Sequence, residues 1–221
     1  MMQRQPSQIA ADLAKLIRGG VFADIIHRVA FSTDASSYRI VPQCVAAPRD
    51  MRDILAIVQY AGDQGLPVAA RGAGSGLAGE SLCSGIVLDM TRYMKRVIRI
   101  DADTVICEPG VVLDDLNKRL GEVGRKIGPD PSSGNRATVG GVVANNSTGA
   151  HSLQYGHIAA YVESIDVVLS AGGAAEFQNG IDVGQARGDR AGSLARECWS
   201  LLTANKAVID KALPATKRNR C

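Results

Sequence analysis

The stretch Pro67 to Glu80, PVAARGAGSGLAGE, limits what this chain can fold into more than any other. Four glycines, Gly72, Gly74, Gly76 and Gly79, fall within eight residues, and an apolar Pro-Val-Ala-Ala segment that reads as a strand leads into them. Glycines so spaced let the backbone turn with φ > 0 and let a ligand approach with no Cβ in the way. Successive N–H groups turned outward form an anion-binding nest, and Ser75 adds a hydroxyl donor. The plainer alternative is a flexible surface loop, against which stand the apolar strand and the lack of charge between the glycines. Arg71, beside the loop, either faces the anion or pairs with a carboxylate in the core.

Gly74-Ser75-Gly76-Leu77-Ala78-Gly79 matches the dinucleotide pattern G-x-G-x-x-G letter for letter. That fold needs a helix directly after the glycines, so that its N-terminus meets the pyrophosphate. Here only Glu80 to Ser84 separate the loop from the next apolar segment, Ile86 to Met90, and no helix fits. No Gly-Lys-Ser/Thr follows, which excludes a P-loop, and no serine sits centrally in G-x-S-x-G, which excludes a hydrolase elbow. A phosphate cradle made of loop amides remains.

Around this loop the chain reads as mixed helix and strand. Residues 8–29 suggest one or two short helices, the first capped by Ser7, with Ile9, Leu13, Leu16 and Ile17 at helical spacing. Residues 31–48 look irregular apart from a short extended piece at Arg39 to Val41. Asp50 opens a helix with Met51, Ile54, Leu55, Val58 and Ala61 on one face, ended between Gly62 and Gly65. Arg96–Ile100 and Thr104–Glu108 form a hairpin pattern, and Val112, Leu113, Leu116 and Leu120 mark another helix. The second unusual stretch, GPDPSSGNRATVGGVVANNSTGAHSLQYG from Gly128, reads as loop, short packed helix near Val139, and loop. Val162–Leu169 is a strand, residues 174–191 are polar without pattern, and 193–212 is one helix stopped at Pro214. Strands follow one another too closely for strict βαβ alternation, which makes the class α+β.

Net charge is +3, too little to imply nucleic acid or a membrane surface, and no apolar run approaches the ~18 residues of a spanning helix. Met1 to Ile17 lacks the features of a secretory signal. Cys44, Cys83, Cys107, Cys198 and Cys221 are odd in number and widely spaced, which argues against a disulfide framework, a zinc site or an iron–sulfur cluster. A reduced, cytoplasmic setting is expected, with the first four as small buried thiols. His27, among Ile25, Ile26 and Val29, reads as a packed or rim histidine.

Three stretches together, RGAGSGLAGE from Arg71, GVVLDDLNKRL from Gly110 and the segment from Gly128, resemble the flavoproteins with a p-cresol methylhydroxylase-type FAD-binding domain (the vanillyl-alcohol oxidase superfamily). The resemblance spans about residues 38–178 and is nearest to the FAD-linked glycolate, D-lactate and D-2-hydroxyglutarate dehydrogenases. It implies a two-lobed α+β fold that clasps an extended FAD. By the same resemblance Arg71, Gly72, Ala73, Gly74, Ser75, Gly76 and Leu77 would wrap the pyrophosphate, and Pro131 and Ser132 would approach the flavin or its ribityl chain. Thr138, Gly140, Gly141, Asn145, Ser147 and Gly149 would line the cofactor channel, with helix capping the alternative for Asn145 and Asn146. Leu77 follows the loop glycines where no attachment residue stands, and His151 and His157 match no attachment pattern, so the FAD is expected to be non-covalent.

The implied activity is oxidation of a small 2-hydroxy acid, with hydride passing to flavin N5. The family's second FAD-domain segment and substrate-binding cap, which carries the groups that hold and deprotonate the substrate, have no counterpart here. No catalytic residue is therefore assigned, and the electron acceptor is left open. The chain is expected to comprise an N-terminal helical extension at 1–37, the first part of the FAD-binding domain at 38–191, and a helix with a basic tail at 192–221, C-terminally incomplete. Three alternatives remain: an FAD subunit whose partner chain brings the cap, an inactive remnant, and a flavoprotein like the UDP-MurNAc-forming reductases. Association with a membrane would come only peripherally, through an electron-transfer partner.

Overall fold

The computed structural model describes residues 4–180 and 190–213, in two units: residues 4–162 with Val168–Gly173, and Glu163–Val167 with residues 174–180 and 190–213. The first unit opens with α1 (Pro6–Leu16), β1 (Gly20–Phe22) and α2 (Ile25–Ala30). Pro6 takes the first helical position, where its missing N–H costs nothing, and Gln8 Oε1 accepts from the Gln5 N–H at 3.2 Å. Ser7 therefore lies inside the first turn and does not cap the helix. One face of α1 buries Ile9 and Leu13, and Ile17, just past its end, is buried as well. Where helices alone were expected, Gly20–Phe22 forms a strand; three residues carry too little pattern to announce it.

That strand edges a four-stranded sheet in the order β1-β2-β4-β3, built with β2 (Cys44–Ala47), β3 (Val68–Arg71) and β4 (Ile86–Asp89). β1 runs antiparallel to β2, while β2 and β3 both run parallel to β4, with Ala46 and Ala70 each opposite Leu88. Every residue of β2 and β4 is buried. A strand covered on both faces shows no polar alternation, and Cys-Val-Ala-Ala is short and small, so β2 is unreadable in a stretch taken as irregular. Arg39 makes only an isolated bridge to Thr33; the extended piece placed at Arg39 to Val41 starts as a strand at Cys44.

The parallel connection from β2 to β3 runs through α3 (Met51–Gln64), as its apolar spacing indicates. The Asp50 carboxylate accepts from the N–H groups of Arg52 and Asp53, at 3.0 and 3.2 Å, and Gly65 at φ 63° stops the helix in the left-handed conformation. Ile57, Tyr60 and Ala61 from α3 meet Ile9 and Leu13 from α1 and Ile86 and Leu88 from β4 in one apolar core.

Beyond the sheet, β5 (Val97–Ile100) and β6 (Val105–Cys107) form the expected hairpin, followed by α4 (Leu113–Gly121). Leu116 and Leu120 of α4 pack with Val111 against that hairpin. Leu113, on another side of α4, joins Ala137, Ile158 and Val142 of α5 (Val139–Ala144) in a further cluster. A helix of two turns at most, α5 is fixed by this packing and not by propensity. α6 (Ser152–Tyr155) and a 3₁₀ turn at Ile158–Tyr161 complete the unit's helical elements.

β7 (Ser164–Val168) pairs with β8 (Ala174–Gln178), a strand in the segment read as patternless. The helix expected over 193–212 is two, α7 (Arg190–Ala204) and α8 (Lys206–Ala212). The break is Asn205, whose side-chain Nδ2 donates to the Leu201 carbonyl at 2.8 Å, the local competition with backbone bonding that makes asparagine a poor helix interior. Pro214, the basic tail and Cys221 lie outside the described residues.

Candidate functional site

β3 and β4 are parallel, and the carboxyl ends of such strands are where an α+β sheet leaves room for a ligand. β3 ends at Arg71, and the chain passes straight into the glycine loop. Gly74 takes φ 66°, and its carbonyl accepts from the Ala35 N–H at 2.9 Å, which fastens the loop to the segment before β2. A Cβ on Gly72 would overlap Thr138 Oγ1, so glycine there lets the loop rest on the start of α5. Glu80 folds back under the loop: its Oε2 accepts from the Ala78 N–H at 3.1 Å, and its Oε1 from Asn145 Nδ2 at 3.0 Å. A Cβ on Gly76 would collide with that carboxylate.

The two glycine-rich stretches thus meet, and between them opens a cavity of about 280 Å³. Its wall is Ala35, then Ala73, Gly74 and Ser75 of the loop, then Ser132, Ser133 and Arg136 of the second stretch. The Ser133 carbonyl accepts from the N–H groups of Arg136 and Ala137, at 2.8 and 2.7 Å, in a turn that leads into α5.

Arg71 is not on this wall. Its guanidinium lies behind Gly74, where a Cβ would stand 2.5 Å from Nη2, and over the Phe31 ring at 5.2 Å. Among the described residues, Arg71 Nη1 is the buried side-chain polar atom without a hydrogen-bond partner. Burial pushes its pKa down, and the charges of Asp34 and Asp89 push it back up. Burial also raises the Asp34 carboxyl, but donors outweigh it and leave that pKa below the ordinary value. These are the Ser36 hydroxyl at 2.5 Å, the Ser36 N–H at 2.9 Å and the Ser81 hydroxyl at 3.1 Å, with the Arg71 charge beside them.

Of the residues singled out from sequence, Ala73, Gly74, Ser75 and Ser132 come together on the cavity wall, and Gly72 and Pro131 stand next to them in the chain. Gly76 and Leu77 continue the loop, and Leu77 is 80% exposed. Thr138, Gly140, Gly141, Asn145, Ser147 and Gly149 do not line the cavity. Thr138 is buried against Gly72, and Gly140 is pressed so closely on Pro109 that a Cβ would stand 2.6 Å from its ring. Gly141 follows inside α5, with Thr138 Oγ1 3.4 Å from where its Cβ would be. Asn145 is the C-cap of α5, with its amide on Glu80, and the Ser147 N–H donates to the Val142 carbonyl at 2.9 Å. Gly149 rests on the Asp130 backbone, where any Cβ would overlap the carbonyl.

His151 Nδ1 meets Asp130 Oδ2 at 2.5 Å, and this bond, with that of the His151 N–H, holds the Asp130 carboxyl below the ordinary carboxylate value. His157 Nδ1 donates to the Asn146 carbonyl at 3.0 Å. His27 stacks on Phe22 and bonds Asp24 at 2.7 Å. Cys198 is exposed, against the expectation of a buried thiol; Cys44 is fully buried, and Cys83 and Cys107 are partly so.

Sequence reading missed Asp34, Ala35, Ser133 and Arg136. The run Asp34-Ala35-Ser36 has the composition of an Asx turn, which was the available signal. The wall offers the backbone of Ala73, Gly74 and Ser75, three serine hydroxyls and one guanidinium, a set that donates to oxygen anions. A loop held in this shape by glycines whose Cβ atoms would strike Thr138, Arg71 and Glu80, with a buried orphan guanidinium nitrogen behind it, fits a phosphate ester. No helix among the described residues is long and apolar enough to cross a membrane.

Residues 42–177 match the family described as FAD-binding domain. Over 177 residues the chain is 34% identical to D-2-hydroxyglutarate dehydrogenase of Pantoea ananatis, covering 78% of this chain and 17% of that protein. It is 33% identical over 150 residues to glycolate oxidase subunit GlcD of Bacillus subtilis, covering 66% of this chain and 32% of the relative. Among solved structures, alkyldihydroxyacetonephosphate synthase superposes with a TM-score of 0.71 at 24% identity, over 82% of this chain and 37% of that one. The chain therefore spans about a sixth of the dehydrogenase and a third of the oxidase subunit.

Proposed function

The chain belongs to the FAD-binding domain family, with the α+β fold of the p-cresol methylhydroxylase type, and we propose that it holds FAD non-covalently with the diphosphate in the cavity between the two glycine-rich stretches. The observation that carries this reading is the meeting of Ala73, Gly74 and Ser75 with Ser132 and Ser133 around one donor-lined space. Gly72, Gly76 and Leu77 shape the loop, and Arg71 braces it. Thr138, Gly140, Gly141, Asn145, Ser147 and Gly149 form the shelf beside it, and Pro131 aligns the flavin end. Residues 38–191 make up most of the cofactor-holding part, with Ala35 of the preceding 1–37 contributing to the wall, and 192–221 follow.

In the whole protein, bound FAD would supply the two-electron acceptor for oxidation of a small 2-hydroxy acid to the 2-oxo acid. What these residues contribute is binding and orientation; no proton-transfer step is assigned to them. The dehydrogenase and oxidase names of the relatives support the substrate class. A second reading, an FAD-binding chain completed by a partner that brings the substrate cap, draws support from the relative named as a subunit.

The test is the visible spectrum of the purified chain, taken before and after incubation with FAD and desalting. A retained flavin spectrum, lost entirely to the supernatant on denaturation, is the expected result. A chain that stays colourless at saturating FAD removes the cavity as a self-sufficient cofactor site; colour that stays with the precipitate removes the non-covalent assignment.

A further inference from the structure

We infer that Arg136 supplies the direct positive charge to the cofactor's diphosphate, while Arg71 acts only from behind the loop. This inference rests on the FAD reading above. The diphosphate brings two negative charges to a wall whose loop side, Ala73, Gly74 and Ser75, is neutral. Amides and hydroxyls donate to phosphate oxygens but leave their charge in place, and Arg136 is the one formally charged residue lining the cavity.

Its placement suits the task. The Arg136 backbone is fixed by the 2.8 Å bond from its N–H to the Ser133 carbonyl and by the buried Ala137 and Thr138 that follow. The side chain is exposed, makes no ion pair among the described residues, and uses only Nε, on Asn135 Oδ1 at 3.1 Å. Both Nη groups are left to donate, and two parallel donors on a planar guanidinium match two phosphate oxygens. Arg71, by contrast, lies behind Gly74 over the Phe31 ring, within the field of Asp34 and Asp89 and off the cavity wall. A cation facing an open, solvated cavity also makes binding sensitive to ionic strength, because salt screens exposed charge pairs.

The experiment is a fluorescence titration of the full 221-residue chain with FAD and, separately, with riboflavin, which lacks the diphosphate, at low and high salt. Arg136→Gln should raise the FAD Kd by about tenfold, the loss of one charge-assisted contact, and flatten its salt dependence. Riboflavin affinity and the thermal midpoint should not move, because the side chain is exposed. Arg136→Lys should recover part of the FAD affinity, since charge returns without the planar fork. Wild-type FAD affinity and salt dependence in Arg136→Gln would overturn the assignment and leave the FAD reading standing. Equal losses for FAD and riboflavin would overturn it as well. Failure of the wild-type chain to bind FAD would overturn both.

Discussion

Replacing Gly74 with alanine tests the backbone and the cradle together. At φ 66° any residue with a Cβ is strained, by about 1–2 kcal/mol. The new methyl would also stand 2.5 Å from Nη2, 2.7 Å from Cζ and 3.1 Å from Nε of Arg71. That guanidinium lies over the Phe31 ring with Nη1 buried, and the charges of Asp34 and Asp89 hold it there, so displacing it has a cost; overpacking of this kind costs about 1–3 kcal/mol. The sum, about 2–5 kcal/mol, corresponds to a fall in Tm of roughly 4–20 °C for a unit of this size. The matched control is Gly62→Ala inside α3, where a Cβ meets nothing within 4 Å. Alanine there should stabilise by about 0.5–1 kcal/mol, by removing backbone freedom from the unfolded chain. Thermal unfolding followed by circular dichroism, with FAD titration alongside, reads both variants. The reasoning fails if Gly74→Ala melts with the wild type and retains FAD, or if both substitutions shift Tm the same way.

Burial pushes the Cys44 thiol up to about 12, so almost none is thiolate near neutral pH, whereas Cys198 is exposed. Iodoacetamide on the native chain should label Cys198 within minutes and Cys44 only after denaturation; mass spectrometry of the peptides decides, and native labelling of Cys44 would contradict its burial. The Asp34 pKa is lower folded than unfolded, so its contribution is complete above the unfolded carboxylate pKa and disappears as pH falls through the folded value. Asp34→Asn should therefore be less stable than wild type at pH 6, with the gap closing below about pH 4. A gap that stays constant down to pH 2.5 in urea titrations would mean that the Ser36, Ser81 and Arg71 contacts do not favour the ionised form.

How much could be read from the sequence depended on whether an element carried its own signal. α3 announced itself through Asp50, its apolar spacing and Gly65, all local features that the structure uses as such. The β5–β6 hairpin and α4 were legible for the same reason. β2 was not, because what makes Cys44–Ala47 a strand is the sheet and helices around it. The break at Asn205 turns on a single side-chain bond to Leu201 that helical periodicity outweighs on paper. At the site, the glycine loop was visible as a departure from ordinary composition. Arg136 looked like any surface arginine, and Asp34 like any loop acid; their roles come from folding next to residues far along the chain. Arg71, for which the sequence left open either the anion or a core carboxylate, neighbours the loop in sequence and stands behind it in space, near Asp34 and Asp89.

The bond between Glu80 and Asn145 spans 65 positions, and the cavity wall joins Ala35 to Arg136. No short fragment of the chain contains the pocket, so it comes into being only once these long-range closures are made, the slow part of folding. A flavin that needs the finished wall ignores the unfolded chain and draws the population toward the folded one, more strongly as its concentration rises above Kd. Flavin supply would then govern how long each newly made chain survives, and the yellow colour of a preparation would count its correctly closed molecules.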